Sequence, residues 1–183
     1  RTEPTGAARP ELARTKVLMA IAPKDFRDEE YTMPRQMLEE AGASIQVAST
    51  QTGTALGVSG TRAPIDLLAS AAKAADYDAV IFVGGPGMEP YLSNADFVRL
   101  AKESAAAGKV TAAICVAPAI LANAGVLKGI EATAWESEQR TLKAKGATLS
   151  SKNAVRSGKI VTANGPAAAH QFTLLIMEAL KER

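Results

Sequence analysis

Apolar positions along this chain fall alternately into short unbroken runs and into stripes at helical spacing. Residues 16–22 (KVLMAIA) are a brief apolar run closed by Pro23, which predicts a first buried strand rather than a helix. From about Asp28 the period lengthens: Tyr31, Pro34, Met37, Leu38 and Ala41 recur as on one helical face, and Gly42 supplies the stop. Residues 45–49 (IQVAS) alternate as a second strand, and 53–62 hold enough Gly, Thr and Ser for a loop or small hairpin. Residues 78–83 (DAVIFV) predict another buried strand, delivering Gly84, Gly85, Pro86 and Gly87 at its carboxyl end. A helix over 94–107, stopped by Gly108, precedes a strand at 109–115 (KVTAAIC) and a short apolar helix at 117–124 ended by Gly125. A helix at 136–145, two short strands at 153–156 and 159–162, and a last helix at 167–181 complete the series. Such alternation predicts an α/β fold with a largely parallel sheet covered on both faces.

Composition narrows the class. A chain of 183 residues fits one domain with one core, and its apolar content is rich in alanine while aromatics are only 4%, so helices are expected to pack closely on the sheet through small residues. The 21 basic and 19 acidic residues leave a net charge of +2, with no Lys/Arg run dense enough to follow a phosphate backbone, which argues against nucleic acid as a partner. The longest apolar stretches, 79–83 and 110–116, are too short to cross a bilayer as helices. Residues 1–15 lack apolar periodicity and are expected to form a flexible tail ahead of a domain at 16–183; the missing initiator Met reads as a processed or trimmed beginning. A single cysteine permits no intramolecular disulfide, and no Cys/His cluster has metal-ligand spacing, so neither a metal nor a cofactor is expected. The lone thiol fits a reducing cytoplasm best, with a periplasmic or secreted location open if a signal has been removed.

That thiol is the main chemical candidate. Open parallel sheets bind ligands at the carboxyl ends of their strands, where the glycine turn and Cys115 both fall. Cys115 stands between an apolar strand and a helix start, where free N–H groups and the helix dipole are expected to lower its pKa and make it a nucleophile. Small neighbours Ala112, Ala113 and Ala117 allow the tight turn of a nucleophile elbow, and the N–H groups of Gly85 and Val116 are candidates for an oxyanion hole. The alternative is a small hydrophobe buried in a strand, with a glycine turn that merely reverses the chain.

The blocks IAPKDFRDEEYTMPRQMLEEAG, AVIFVGGPG, AAICVAPAILANAGVLKG and IVTANGPAAAHQF, in that order over about residues 16–182, resemble successive signatures of the ThiJ/PfpI superfamily. The resemblance implies a flavodoxin-like three-layer sandwich with a nucleophile-elbow cysteine. It also implies a carboxylic acid, four residues before a helical proline, that hydrogen-bonds the cysteine. Counting back from Pro34 gives Glu30, which needs a carboxyl pKa raised by burial; the alternative is that Asp28, Glu29 and Glu30 together supply negative charge to a helix N-terminus. Two positions depart from the family pattern. Val116 stands where protease-like members have histidine, and Trp135 where deglycase-like and glyoxalase-like members carry histidine. Asn164 replaces an arginine of many relatives, and His170, the only histidine, either approaches Cys115 or lies on the surface. Gly84, Pro118, Trp135, Asn164 and His170 make up the expected pocket. The implied function is glyoxalase or deglycase-like chemistry on small aldehydes or glycated groups, favoured over an amidase or protease acting on peptides. The alternative from another class is a redox-responsive or chaperone-like stress protein working through Cys115 oxidation. A homodimer or larger homo-oligomer is expected from the same resemblance.

Overall fold

The computed structural model describes residues 10–182. Its strands are β1 (Lys16–Ala20), β2 (Lys24–Phe26), β3 (Ser44–Ser49), β4 (Gly53–Gly57), β5 (Arg62–Ile65), β6 (Leu67–Leu68), β7 (Ala79–Phe82), β8 (Val110–Ile114), β9 (Glu131–Ala132), β10 (Thr148–Leu149), β11 (Ala154–Ser157) and β12 (Ile160–Ala163). Its α-helices are α1 (Asp28–Glu40), α2 (Ala95–Ala106), α3 (Pro118–Asn123), α4 (Gln139–Ala144) and α5 (Ala169–Lys181).

Seven strands form the central sheet in the order β11-β12-β8-β7-β1-β3-β6, parallel throughout except for the β11–β12 pair at one edge. Strands β7 and β8 are buried at every position, as a sheet covered on both faces demands. Helix α1 packs with α5 and α2 with α3, and their buried stripes meet the sheet through Leu38, Phe97, Leu100, Phe172 and Ile176. The expected α/β architecture is therefore the one the chain adopts, with α3 and α4 each shortened to six residues and α4 entered through a 3-10 turn at Glu136–Glu138.

Periodicity missed several short pieces. The 53–62 segment, expected as a loop or small hairpin, supplies the first arm and turn of the β4–β5 hairpin, but the parallel addition of β2 to it and the separate parallel pair β9–β10 were not foreseen. Strands of two or three residues are too short for a period of two to register. The expected tail also needs correction in part. Leu12 is buried with its N–H donated to the Ala41 carbonyl at 2.8 Å, and the Thr15 carbonyl accepts from Ser44 N–H at 2.9 Å, so residues 10–15 pack against the end of α1 and the start of β3. One apolar side chain in a polar stretch gives no periodic signal. Residues 1–9 of that tail lie outside the described residues. Among the described residues, no helix is long and apolar enough to cross a membrane.

Candidate active site

Three chain segments meet at the carboxyl edge of β7 and β8: the start of α1, the glycine turn after β7, and Cys115 after β8. Cys115 is 7% exposed and adopts φ 66°, a left-handed conformation that a non-glycine residue holds only when its surroundings fix it. Both of its backbone groups are fixed here. Its N–H donates to the Ala163 carbonyl at 2.9 Å, and its carbonyl accepts from Trp135 N–H at 2.7 Å. This is the geometry of a nucleophile elbow, with Val116, Ala117 and the buried Pro118 leading into α3.

The glycine turn is needed because there is no room for side chains. A Cβ on Gly84 would stand 2.6 Å from Cys115 Cβ, 2.6 Å from the Ile114 carbonyl oxygen and 2.8 Å from Glu30 Oε1. Gly85 takes φ 111°, and a Cβ there would fall 2.4 Å from the Arg27 nitrogen. Gly84 also latches the turn to α1: its carbonyl accepts from Arg27 N–H at 3.0 Å, and its N–H donates to Glu30 Oε1 at 3.1 Å.

The three acids at the start of α1 have three different fates, so a common helix-dipole role does not describe them. Glu29 is exposed. Asp28 is buried and accepts from the N–H groups of Ser59 at 2.9 Å and Thr61 at 3.0 Å, tying the β4–β5 hairpin to the helix. Burial alone would raise its carboxyl pKa, but these bonds and the Thr61 hydroxyl outweigh burial and hold it below the usual value. Glu30 is fully buried against Cys115, and its Oε2 has no hydrogen-bond partner. Burial pushes this carboxyl up to about 8 against the opposing pull of Cys115, the Arg27 charge and the Gly84 N–H.

The thiol itself corrects the sequence expectation. Burial, then the Glu30 charge, push Cys115 up to about 12, although the N–H groups of Gly85 and Val116 both pull it down. A six-residue helix and two N–H donors do not offset desolvation and a neighbouring carboxylate. Burial and their mutual contact therefore separate the two groups: the carboxyl gives up its proton near pH 8, and the thiol keeps its own until about 12. Alkylation of Cys115 by iodoacetamide is accordingly expected to stay slow through neutral pH and to rise only towards pH 12. Glu30→Gln removes a charge that raises the thiol and should move this rise to lower pH, and identical profiles for the two proteins would contradict the coupling.

The other expected pocket residues are divided. Trp135, 46% exposed, lines a groove of about 450 Å³ with Ala134, Gln139, Asn164, Gly165 and Pro166, and its backbone bond to Cys115 sets this groove beside the elbow. Asn164 donates its side-chain amide to Asn153 Oδ1 at 3.1 Å. His170 is exposed on the first turn of α5 and is not among the groups that act on the Cys115 thiol, so the surface alternative describes it. A larger hollow, about 660 Å³, lies at the amino ends of β1 and β3 beside Lys16, Ser44 and Tyr77, away from this chemistry. Among the described residues, no group of three or more His, Cys, Asp or Glu is placed to hold a metal ion. Sequence reasoning passed over Arg27, whose charge acts on Glu30; as a cation three residues before it, Arg27 was hidden by the acidic run that follows.

Comparison with known proteins fits this geometry. The DJ-1/PfpI family matches residues 15–179. The chain is 37% identical to protein MJ0967 of Methanocaldococcus jannaschii, over 95% of this chain and 86% of that one. It is 30% identical to the deglycase PH1704 of Pyrococcus horikoshii, over 91% and 99% of the two chains. The crystal structure of a ThiJ/PfpI domain protein from Brachyspira murdochii superposes with a TM-score of 0.89 at 35% identity, covering 92% of this chain and 97% of the other.

Proposed function

This chain belongs to the DJ-1/PfpI family, and from that premise we propose that it is a cysteine-nucleophile enzyme acting on small 2-oxoaldehydes, with Glu30 as the proton carrier. The observation that carries this reading is a buried carboxyl, protonated until about pH 8, set against a thiol whose neighbours supply two N–H donors and no imidazole. With Val116 rather than histidine following the nucleophile, the Cys/His pair of protease-like members is missing, which disfavours peptide hydrolysis. A 2-oxoaldehyde has no amine to expel: its conversion needs proton transfers and then hydrolysis of a thioester whose leaving group is the Cys115 sulfur.

The steps balance within the site. At neutral pH the minority of molecules with ionised Glu30 begin the reaction: the carboxylate takes the thiol proton as Cys115 sulfur bonds to the aldehyde carbon, and the displaced π pair settles on oxygen facing the Gly85 and Val116 N–H groups. Glu30 returns the proton to that oxygen, giving a hemithioacetal. The same carboxyl then moves the C1 proton to C2 through an enediol, leaving a thioester of the 2-hydroxy acid. Water cleaves the thioester, releasing the hydroxy acid and restoring the thiol.

The test is to supply methylglyoxal and follow lactate. Wild-type protein should turn over many times, and Cys115→Ala should lose all of it. Absence of turnover, with clean addition of two oxygens to Cys115 after mild peroxide, would move the assignment to a redox-responsive protein.

A further inference from the structure

Arg27 is an unused cation at the edge of the site. Its backbone is locked into the elbow, since its N–H donates to the Gly84 carbonyl at 3.0 Å and its carbonyl accepts from Glu30 N–H at 3.1 Å. Its side chain is half-buried, and its Nε is buried with no hydrogen-bond partner. Arg35, Arg99 and Arg156 each hold a carboxylate, whereas among the described residues Arg27 makes no ion pair. The nearby acids do not neutralise it. Asp28 is committed to the Ser59 and Thr61 N–H groups, and Glu30 turns its Oε1 to Gly84. A partly desolvated guanidinium without an anion is costly unless something binds it, and its planar fork of donors matches a carboxylate.

We propose that Arg27 forms an anion subsite at the edge of the site, on the Glu30 side, so that the preferred substrates are 2-oxoaldehydes carrying a carboxylate at the far end. The substrate class rests on the reaction proposed above; the anion subsite does not. Glu30, protonated at neutral pH, leaves the Arg27 charge free for the incoming group. The reacting aldehyde then faces the sulfur while the remote carboxylate takes the guanidinium, which orients the carbonyl at no expense to the proton transfers.

Two measurements on the intact chain test this. The first compares kcat/KM for 4,5-dioxopentanoate and for methylglyoxal. Wild-type protein should favour the anionic substrate by about tenfold or more, Arg27→Gln should bring the ratio close to one, and Arg27→Lys should keep part of the preference. The second needs no turnover. The rate of Cys115 alkylation by iodoacetate, divided by that by iodoacetamide, should fall several-fold in Arg27→Gln, with circular dichroism showing both proteins folded. A fall in the alkylation ratio without turnover of either dicarbonyl would sink the 2-oxoaldehyde reading and leave the anion subsite standing. An alkylation ratio unchanged by Arg27→Gln overturns the subsite.

Discussion

Glu30→Gln is expected to cut turnover of methylglyoxal by about 10²- to 10⁴-fold, the usual range for losing a general acid–base group, while making the protein more stable at alkaline pH. The two effects share one cause. Glu30 ordinarily titrates at 4.5 and here at about 8, because burial opposes its charge, so between those pH values the folded protein keeps a proton that the unfolded chain has given up. Stability from this group is complete below pH 4.5 and is lost as the pH rises through 8. The slope is about 1.4 kcal/mol per pH unit, and over the whole window the loss is of the order of a few kcal/mol. Glutamine can still accept from the Gly84 N–H but carries no charge to desolvate. The variant should therefore match wild type near pH 5 and exceed it near pH 9. Urea midpoints at the two pH values, read beside lactate formation, decide the matter. A variant less stable than wild type at pH 9, or one that keeps its turnover, would show that Glu30 is an ordinary buried acid.

Gly84→Ala should be as damaging by a different route. The new methyl would meet Cys115 Cβ and the Ile114 carbonyl oxygen at 2.6 Å and Glu30 Oε1 at 2.8 Å. Ile114 cannot retreat, since it ends a fully buried strand and its carbonyl accepts from Ala117 N–H at 3.1 Å within the elbow. The strain must instead push the two reacting groups apart. A loss of about 1–3 kcal/mol in stability is expected from overpacking, together with near-complete loss of turnover, because an error of about 1 Å in a reacting geometry costs about a hundredfold. Gly108→Ala is the control. Gly108 has open space around it and only a φ of 71° to lose, so that change should lower stability by about 1 kcal/mol and leave turnover intact. Equal effects of the two substitutions on turnover would mean that crowding at Gly84 is not what sets the site.

Against the structure, the long elements were legible and the short ones were not. Strands β1, β3, β7 and β8 and helices α1, α2 and α5 carry apolar patterns over enough residues to show their period, so their order and the covered parallel sheet could be read directly. Strand β2, the β9–β10 pair and the packed 10–15 segment are each too short to leave a periodic trace. At the site, Cys115 and the glycine turn could be read because strand exits concentrate on one edge of a parallel sheet. Glu30 could be singled out from its neighbours only through a family spacing, since three adjacent acids look alike until the fold buries one against the thiol, one against a hairpin, and leaves one in water.

The sequence by itself determined which residues could react and on which edge of the sheet they would gather, because the order of elements along the chain and the ends of strands follow from local patterns. Only the tertiary structure decided how those residues behave. The thiol was expected to be acidic from the helix after it, a local feature; its pKa is instead raised, because desolvation and the Glu30 charge arise from segments distant in the chain and act only once these are packed together. Arg27 likewise acquires its place beside the glycine turn from the bond between its N–H and the Gly84 carbonyl, a contact across 57 positions of chain that no local pattern encodes.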